Sequence, residues 1–257
     1  MTGVAGHFGE WLQGRLGADG PVVLVTLHCP ALRVTPGPGP ALFPGDAVTR
    51  FCAALGTDTA HWPDLACDMP PGGGAGASTA WLVAGARAVA PQATAEEIAR
   101  ACLAVEGACD PLMFPDPDRL LWASREGRIA DRLPAPPRCE VVGGFWGAPT
   151  RTDPADHAFP EVGDLVTDWK QAVTAGDLAR AARVATASAA RCDALRGPGD
   201  PMAGLARDLK ALGVVRAHTG SARGLIFAPG TVPANAEAAL REAGLTQVLR
   251  FTTGQRP

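Results

Sequence analysis

Between Pro70 and Ala80 the chain reads Pro-Pro-Gly-Gly-Gly-Ala-Gly-Ala-Ser-Thr-Ala and continues into an apolar, Ala-rich segment, Ser78 to Ala90. Residues of these types in this order suit phosphate binding. Glycine lets a backbone adopt positive φ and come close to a phosphate chain. The start of a following helix offers free N–H groups and the positive end of its dipole. Ser78 and Thr79 add hydroxyls that can meet phosphate or Mg2+. Two other phosphate-binding motifs are excluded. No Lys precedes Ser78, as a P-loop requires. Gly74-x-Gly76 lacks the third glycine of a dinucleotide fingerprint, and no Val/Ile-rich strand runs into it. On glycine content alone the stretch also fits a flexible surface loop, although glycine-dense loops that launch a helix are often functional.

Carboxylates are the second requirement. Phosphoryl transfer needs charge neutralisation, an acceptor hydroxyl held in line and, in some enzymes, a base. Glu106 and Asp110 lie close together in Leu103 to Pro111. Asp110 suits a base or an ammonium ligand, and equally the turn-forming half of Asp-Pro. Asp153 and Asp156 lie in Arg151 to His157, a polar segment that fits a solvated loop. Near the N-terminus, Glu10 and Gln13 are expected in a Gly-lined loop, Gly6 to Gly14. Glu10 would accept from an ammonium or hydroxyl, and Gln13 both donates and accepts. The alternative there is a turn with a solvated Glu. Finally, Ala217 to Phe227 carries His218, Thr219, Gly220, Ser221, Arg223 and Gly224. That is a plausible anion-holding turn, or else a hairpin with a buried His218. Arg223 would balance phosphate charge in a chain whose only lysines are Lys170 and Lys210.

Three motifs together resemble one family. The pattern P-x-x-x-G-x-G-x-S-[ST]-A is similar to the ATP-binding motif of the GHMP kinases. Pro70, Gly74, Gly76, Ser78 and Ala80 fall in register, while Ala75 replaces the usual Leu and Ala77 the first Ser. The Gly6 to Gly14 segment resembles the C-G-E-L-x-Q-G signature of the L-threonine kinase branch, which serves cobalamin side-chain synthesis. Gly9, Glu10, Gln13 and Gly14 match; Phe8 and Trp11 depart. Ala217 to Leu225 resembles that branch's A-H-[ST]-G-[ST]-x-x-G-L segment. Arg151 to His157 is similar to a T-x-D-Y-H-like segment of the related kinases, which equally implies that Asp153 or Asp156 lines an acceptor pocket.

The resemblance implies an ATP- and Mg2+-dependent kinase acting on a small-molecule hydroxyl, with L-threonine the first candidate and O-phospho-L-threonine the product. Another small alcohol acceptor, or a non-catalytic nucleotide-binding regulatory paralogue, are the alternatives. ATP would be bound by Pro70, Gly72, Gly73, Gly74, Gly76, Ala77, Ser78 and Thr79. Mg2+ would be held by Ser78 and Glu106, and catalysis would involve Ser78, Glu106 and Asp110. Glu10, Gln13, His218, Thr219, Gly220 and Ser221 would bind the acceptor. The implied fold is α+β with two domains: residues 1–135 similar to the second domain of ribosomal protein S5, and 136–257 ferredoxin-like. ATP would lie between them.

The elements that must position these residues are readable from local pattern. Val22 to His28 and Ala31 to Thr35 are expected as strands. Ala47 to Leu55 is expected as a short helix, followed by the helix after the glycine loop. Thr94 and Glu97 make a capping box for a helix over 95–105. Glu126-Gly127 separates the two strands of a hairpin. Leu133 to Arg138 is the candidate linker, and Cys139 to Trp146 a buried strand. Helices follow over 165–175, over 178–195 capped by Asp177, over 201–212 stopped by Gly213, and over 234–243. Strands are expected over 214–218, 224–228 and 246–252.

Bulk properties narrow the partners. The chain has 257 residues, 47% of them hydrophobic, enough for a sizeable core. A net charge of −3 gives no basic face for nucleic acid. No apolar run approaches the ~20 residues that span a bilayer, so a soluble, cytoplasmic protein is expected. Seven scattered cysteines, none in a C-x-x-C pair, are expected as buried free thiols rather than disulfides or a zinc site.

Overall fold

The computed structural model describes residues 3–151, 153–197 and 199–254. Its centre is a nine-stranded sheet in the order β5-β4-β2-β1-β7-β8-β6-β9, with β3 added to β2. Strands β1 (Val4–Arg15), β2 (Val22–Pro36), β3 (Leu65–Cys67), β4 (Leu120–Ala123) and β5 (Arg128–Arg132) form one side. Strands β6 (Cys139–Phe145), β7 (Gly213–Arg216), β8 (Ala222–Phe227) and β9 (Thr246–Thr253) form the other. A single residue pair, Glu10 with Arg216, joins them across β1 and β7.

The second half runs β6, α4 (Gly163–Ala175), α5 (Leu178–Arg196), α6 (Met202–Asp208), β7, β8, α7 (Ala236–Glu242), β9. Numbered within that half, its antiparallel strands lie in the order 2-3-1-4. That is the split β-α-β arrangement of a ferredoxin-like unit. The first half carries α1 (Gly45–Ala54), α2 (Ala77–Val89) and α3 (Ala95–Glu106). The whole is an α+β fold.

Strand β1 is buried on both faces. Trp11 packs on Trp169 of α4 with ring centroids 5.0 Å apart. Phe8 meets Phe145 and Phe251 edge-on at 5.6 and 5.7 Å. Sequence reading expects a glycine-lined loop here, and the structure corrects it to a strand. The glycines mark places where other chain segments come close. A side chain on Gly6 would strike Met69 and the Ala75 carbonyl, and one on Gly14 the Pro160 carbonyl. The β1–β2 register breaks between His7 and Glu10, where Gly9 takes φ +68°. In a regular strand residues three apart point to opposite faces. The bulge re-aims them, so the His7 and Glu10 side chains approach within 3.9 Å.

Strand β2 is one element where two are expected. Pro30, which cannot donate to the ladder, falls where the register slips between Cys29 and Arg33. Helix α6 is shorter than its pattern predicts: the chain leaves it through Lys210 at φ +56°. Gly213 opens β7 instead of ending the helix, because it passes beneath the Ala182 carbonyl of α5. The Thr94–Glu97 capping box is complete, and Asp177 caps α5 by accepting from the Arg180 amide. The seven cysteines are free, all but Cys67 buried. Among the described residues no helix is long and apolar enough to cross a membrane.

Candidate active site

The glycine loop is held from outside by its carbonyls. Gly72 O accepts from Thr150 N at 2.9 Å, and Gly73 O from Ser221 N and Ala222 N at 3.0 and 2.8 Å. Gly74 O accepts from Gly9 N and Ala75 O from His7 N, both at 3.1 Å. The amides are left over. Among the described residues no carbonyl accepts from Gly74, Ala75, Gly76, Ala77, Ser78 or Thr79; the first bond of α2 is Ala80 N to Gly76 O. Gly76 is its N-cap and supplies no side chain. A row of unpaired N–H groups at a helix start is an anion site.

Two glycines are required by geometry. Gly74 has φ +75°, and a side chain there would overlap Ala217 and the Thr219 carbonyl. Gly76 has φ +76°, and a side chain there would lie 2.6 Å from the His7 ring.

These residues border a cavity of about 240 Å³. Glu106, the last residue of α3, borders it beside the start of α2. Burial pushes its carboxyl up to about 8; the Asp110 charge adds to the rise, while hydrogen bonds from Ser78 and Thr79 oppose it. Thr79 Oγ1 donates to Glu106 Oε2 at 3.1 Å and accepts from the Asp110 amide at 3.3 Å. The Thr79 hydroxyl is therefore engaged within the protein, which leaves its backbone N–H as the group without a partner among the described residues. A half-buried carboxylate beside a serine hydroxyl, with no cationic partner among the described residues, is a donor set suited to a hard divalent cation that brings its own phosphate and water ligands. Among the described residues no group of three His, Cys, Asp or Glu forms a metal cage.

Asp110 also lines the cavity, and His7 Nε2 lies 3.1 Å from its Oδ2. The contact has ion-pair distance without the alignment of a straight hydrogen bond. His7 Nδ1 sits 3.2 Å from the Gly9 carbonyl. Burial alone would lower the His7 pKa; Asp110 first, then Glu10 and the Gly9 carbonyl, reverse this and raise it to about 9.

The expected site residues are largely brought together. Pro70, Gly72, Gly74, Gly76, Ala77, Ser78 and Thr79 border the cavity with Glu106, Asp110, Glu10, Gln13 and Thr219. Gly73, His218, Gly220 and Ser221 do not. Gly73 and Ser221 tie the loop to β8 through their backbones. His218 is buried behind Glu10, whose Oε2 accepts from the His218 amide at 3.1 Å and faces its Nδ1 at 3.3 Å. Ser188 Oγ accepts from Gln13 N and lies 3.0 Å from His218 Nε2. Glu10 can only accept, so Nδ1 carries a proton toward it, while the Ser188 hydroxyl can either donate to Nε2 or accept from it.

Arg223 does not reach the cavity, contrary to the sequence expectation. It is buried on Asp200 at 2.6 Å and on the carbonyls of Gly220 and Ala222. Asp153 and Asp156 are likewise outside it; Asp153 Oδ1 caps Ala155 N and Asp156 pairs with Arg196 at 2.6 Å. Thr152 of the same segment lies outside the described residues. The arginines that do border the cavity are Arg125 and Arg151. Arg125 donates to the carbonyls of Asp153, Pro154 and Asp156 and lies over the Phe159 ring. His7 and Arg125 were not legible as site residues, because their partners are far away in sequence.

No protein-family model matches the chain, and no curated protein sequence matches it. Solved structures do. The chain is similar to mevalonate kinase of L. major in complex with R-mevalonate, with TM-score 0.60 and 14% identity over 98% of this chain and 96% of that one. It is similar to homoserine kinase from Cytophaga hutchinsonii, with TM-score 0.61 and 14% identity over 98% and 93%. Phosphomevalonate kinase of Streptococcus pneumoniae gives TM-score 0.62 and 11% identity over 98% and 97%. The likeness is one of fold, over almost the full length of each chain.

Proposed function

We propose that this protein is an ATP-dependent kinase that phosphorylates the hydroxyl of a small molecule. The observation that carries this reading is the row of unpaired amides from Gly74 to Thr79, in a loop whose residues, Ala75 apart, border the same cavity as Glu106 and Asp110. The fold shared with mevalonate and homoserine kinases supports it. In this reading the loop amides and the α2 dipole bind the nucleotide's phosphates. Glu106 and Ser78 would hold Mg2+, which supplies charge neutralisation at the transferring phosphoryl group. Asp110 orients the acceptor hydroxyl and takes its proton, as the acceptor oxygen bonds to the γ-phosphorus and the bond to ADP breaks.

The division at residue 135 into an ATP-binding and a ferredoxin-like domain belongs to this proposal, supported by the separation of the strands of the two halves within the sheet. Seven free cysteines accord with a reducing, cytoplasmic setting. The acceptor we favour is L-threonine, giving O-phospho-L-threonine for cobalamin side-chain synthesis. The residues that support it are Glu10, Gln13 and Thr219, which carry the resemblance and border the cavity.

One observation favours a second reading, a different small alcohol on the same machinery. The Glu10 carboxylate already accepts from His218, so it is less free to receive an ammonium. The test is ADP release with Mg2+ and L-threonine, with mass spectrometry of the product, against a panel of small alcohols. ADP formed with L-threonine and a phosphothreonine mass support the first acceptor; turnover only with another alcohol supports the second. ATP binding without turnover on any acceptor refutes the kinase reading.

A further inference from the structure

We infer that His7 is a positioning residue for phosphoryl transfer: as a buried imidazolium it balances the charge of the Asp110 carboxylate and fixes its place at the wall of the cavity. The inference rests on the kinase reading above and adds to it a residue that no motif singles out.

The geometry is specific. His7 is 2% exposed, while the Asp110 side chain is 23% exposed at the cavity wall. One ring nitrogen faces a carboxylate at 3.1 Å and the other a carbonyl at 3.2 Å. A carbonyl only accepts, so Nδ1 must carry a proton; a carboxylate is best matched by a second proton on Nε2. The ring is held in this pose from three sides. Its own amide is bonded to Ala75 O, Gly76 lies against its edge, and the Gly9 bulge turns the strand beneath it. Both positive-φ glycines thus serve the placement of one imidazole. The ionisable groups that face His7 are Asp110 from the segment after α3 and Glu10 from its own strand. His28 stands opposite it in the β1–β2 register.

A partly buried carboxylate is held in place by an opposite charge beside it. The chain has only two lysines, and Arg223 is committed to Asp200. Among the described residues, His7 is the cationic side chain paired with Asp110. With a pKa near 9, it keeps its charge through neutral pH. During the reaction the proton leaves the acceptor hydroxyl for Asp110, and His7 keeps both of its own.

The test uses the full chain with ATP and Mg2+ on the acceptor that wild type turns over. His7→Gln is expected to lower kcat by roughly 10- to 100-fold, less than the roughly 100- to 10,000-fold of a group that itself transfers the proton, with the KM for ATP changed by less than about threefold. Wild-type kcat is expected to fall as pH rises through about 9, and His7→Gln to lack that limb. A merely structural histidine would not shift the limb. Independently, nitrogen NMR of the folded wild type is expected to find the His7 ring doubly protonated at pH 7.5, with its titration moved to lower pH in Asp110→Asn. A folded His7→Gln with wild-type kcat, or a His7 ring with one proton at pH 7.5, overturns the inference and leaves the kinase reading standing. A wild type that turns over no acceptor refutes both. If His7→Gln does not fold, the NMR comparison of wild type with Asp110→Asn decides.

Discussion

The hydroxyl of Thr79 donates to the carboxylate of Glu106 across 3.1 Å, and so ties the first turn of α2 to the last residue of α3. The glycine loop and the cavity's most perturbed carboxylate are thereby fixed to one another. That carboxylate is held at a cost. Its pKa of about 8 lies above the ordinary value, so ionising it in the empty protein opposes folding.

The first prediction follows from that sign. A carboxyl whose folded pKa is raised contributes stability below its unfolded pKa and loses it as pH rises through the folded value. Glu106→Gln should therefore melt higher than wild type at pH 7.5 without nucleotide, by a few degrees for a cost on the order of 1–3 kcal/mol. The gap should vanish toward pH 4.5. The same variant should lose about 100-fold or more in kcat, the usual trade of stability for function. Thermal melts across pH check the first part; a gap that does not change with pH contradicts it.

The second prediction has a similar sign but a cationic group. The His7 pKa is raised from 6.5 to about 9 in the folded protein. Its stabilising contribution is complete below 6.5 and is lost as pH climbs through 9. Wild type should exceed His7→Gln in unfolding free energy by about 2–3 kcal/mol at pH 6, the difference closing by pH 9.5. Denaturant melts at a series of pH values measure it.

What the sequence revealed and hid divides along contact distance. The Thr94–Glu97 box and the Asp177 cap are local, so α3 and α5 are legible from a few residues. The glycine loop was legible as the start of a helix, because an apolar, Ala-rich run without proline follows it directly. The Gly6 to Gly14 strand was misread, because its glycines serve contacts with Met69, Ala75 and Pro160, far along the chain. The same holds for charges. Nothing near Arg223 in sequence announces Asp200, and nothing near His7 announces Asp110. Three-residue β3 carries too little pattern to be seen at all.

The third prediction concerns Gly76. Alanine there must adopt φ +76°, a conformation costing roughly 1–2 kcal/mol for a residue with a Cβ. It must also push the His7 ring away from 2.6 Å. Gly76→Ala should weaken nucleotide binding about tenfold or more and lower kcat together with it. Gly230→Ala, also at positive φ but with open space around it, should carry the backbone cost alone. Calorimetric titration with an ATP analogue separates the two; equal affinity in both variants would mean that the loop amides do not bind phosphate.

The last prediction addresses the segment between β6 and α4. Arg125 gathers three of its carbonyls, from Asp153, Pro154 and Asp156, and lies 5.5 Å from the centre of the Phe159 ring. Arg196 reaches the same ring at 5.1 Å and the Ala158 carbonyl at 2.9 Å. Phe159 and Thr150 border the cavity, and Thr150 is bonded to Gly72. The segment is thus pinned to the glycine loop at one end and to arginine at the other. A guanidinium can fork between carbonyls and stack on a ring at once, whereas an ammonium is a single point charge. Arg125→Lys should therefore keep the net charge, loosen the segment and raise the acceptor KM by roughly 3- to 10-fold, with a smaller change in kcat. Limited proteolysis should cut between residues 147 and 161 faster in the variant, and a bound ATP analogue should slow that cut. Equal cleavage rates in variant and wild type would show that Arg125 does not hold the segment in place.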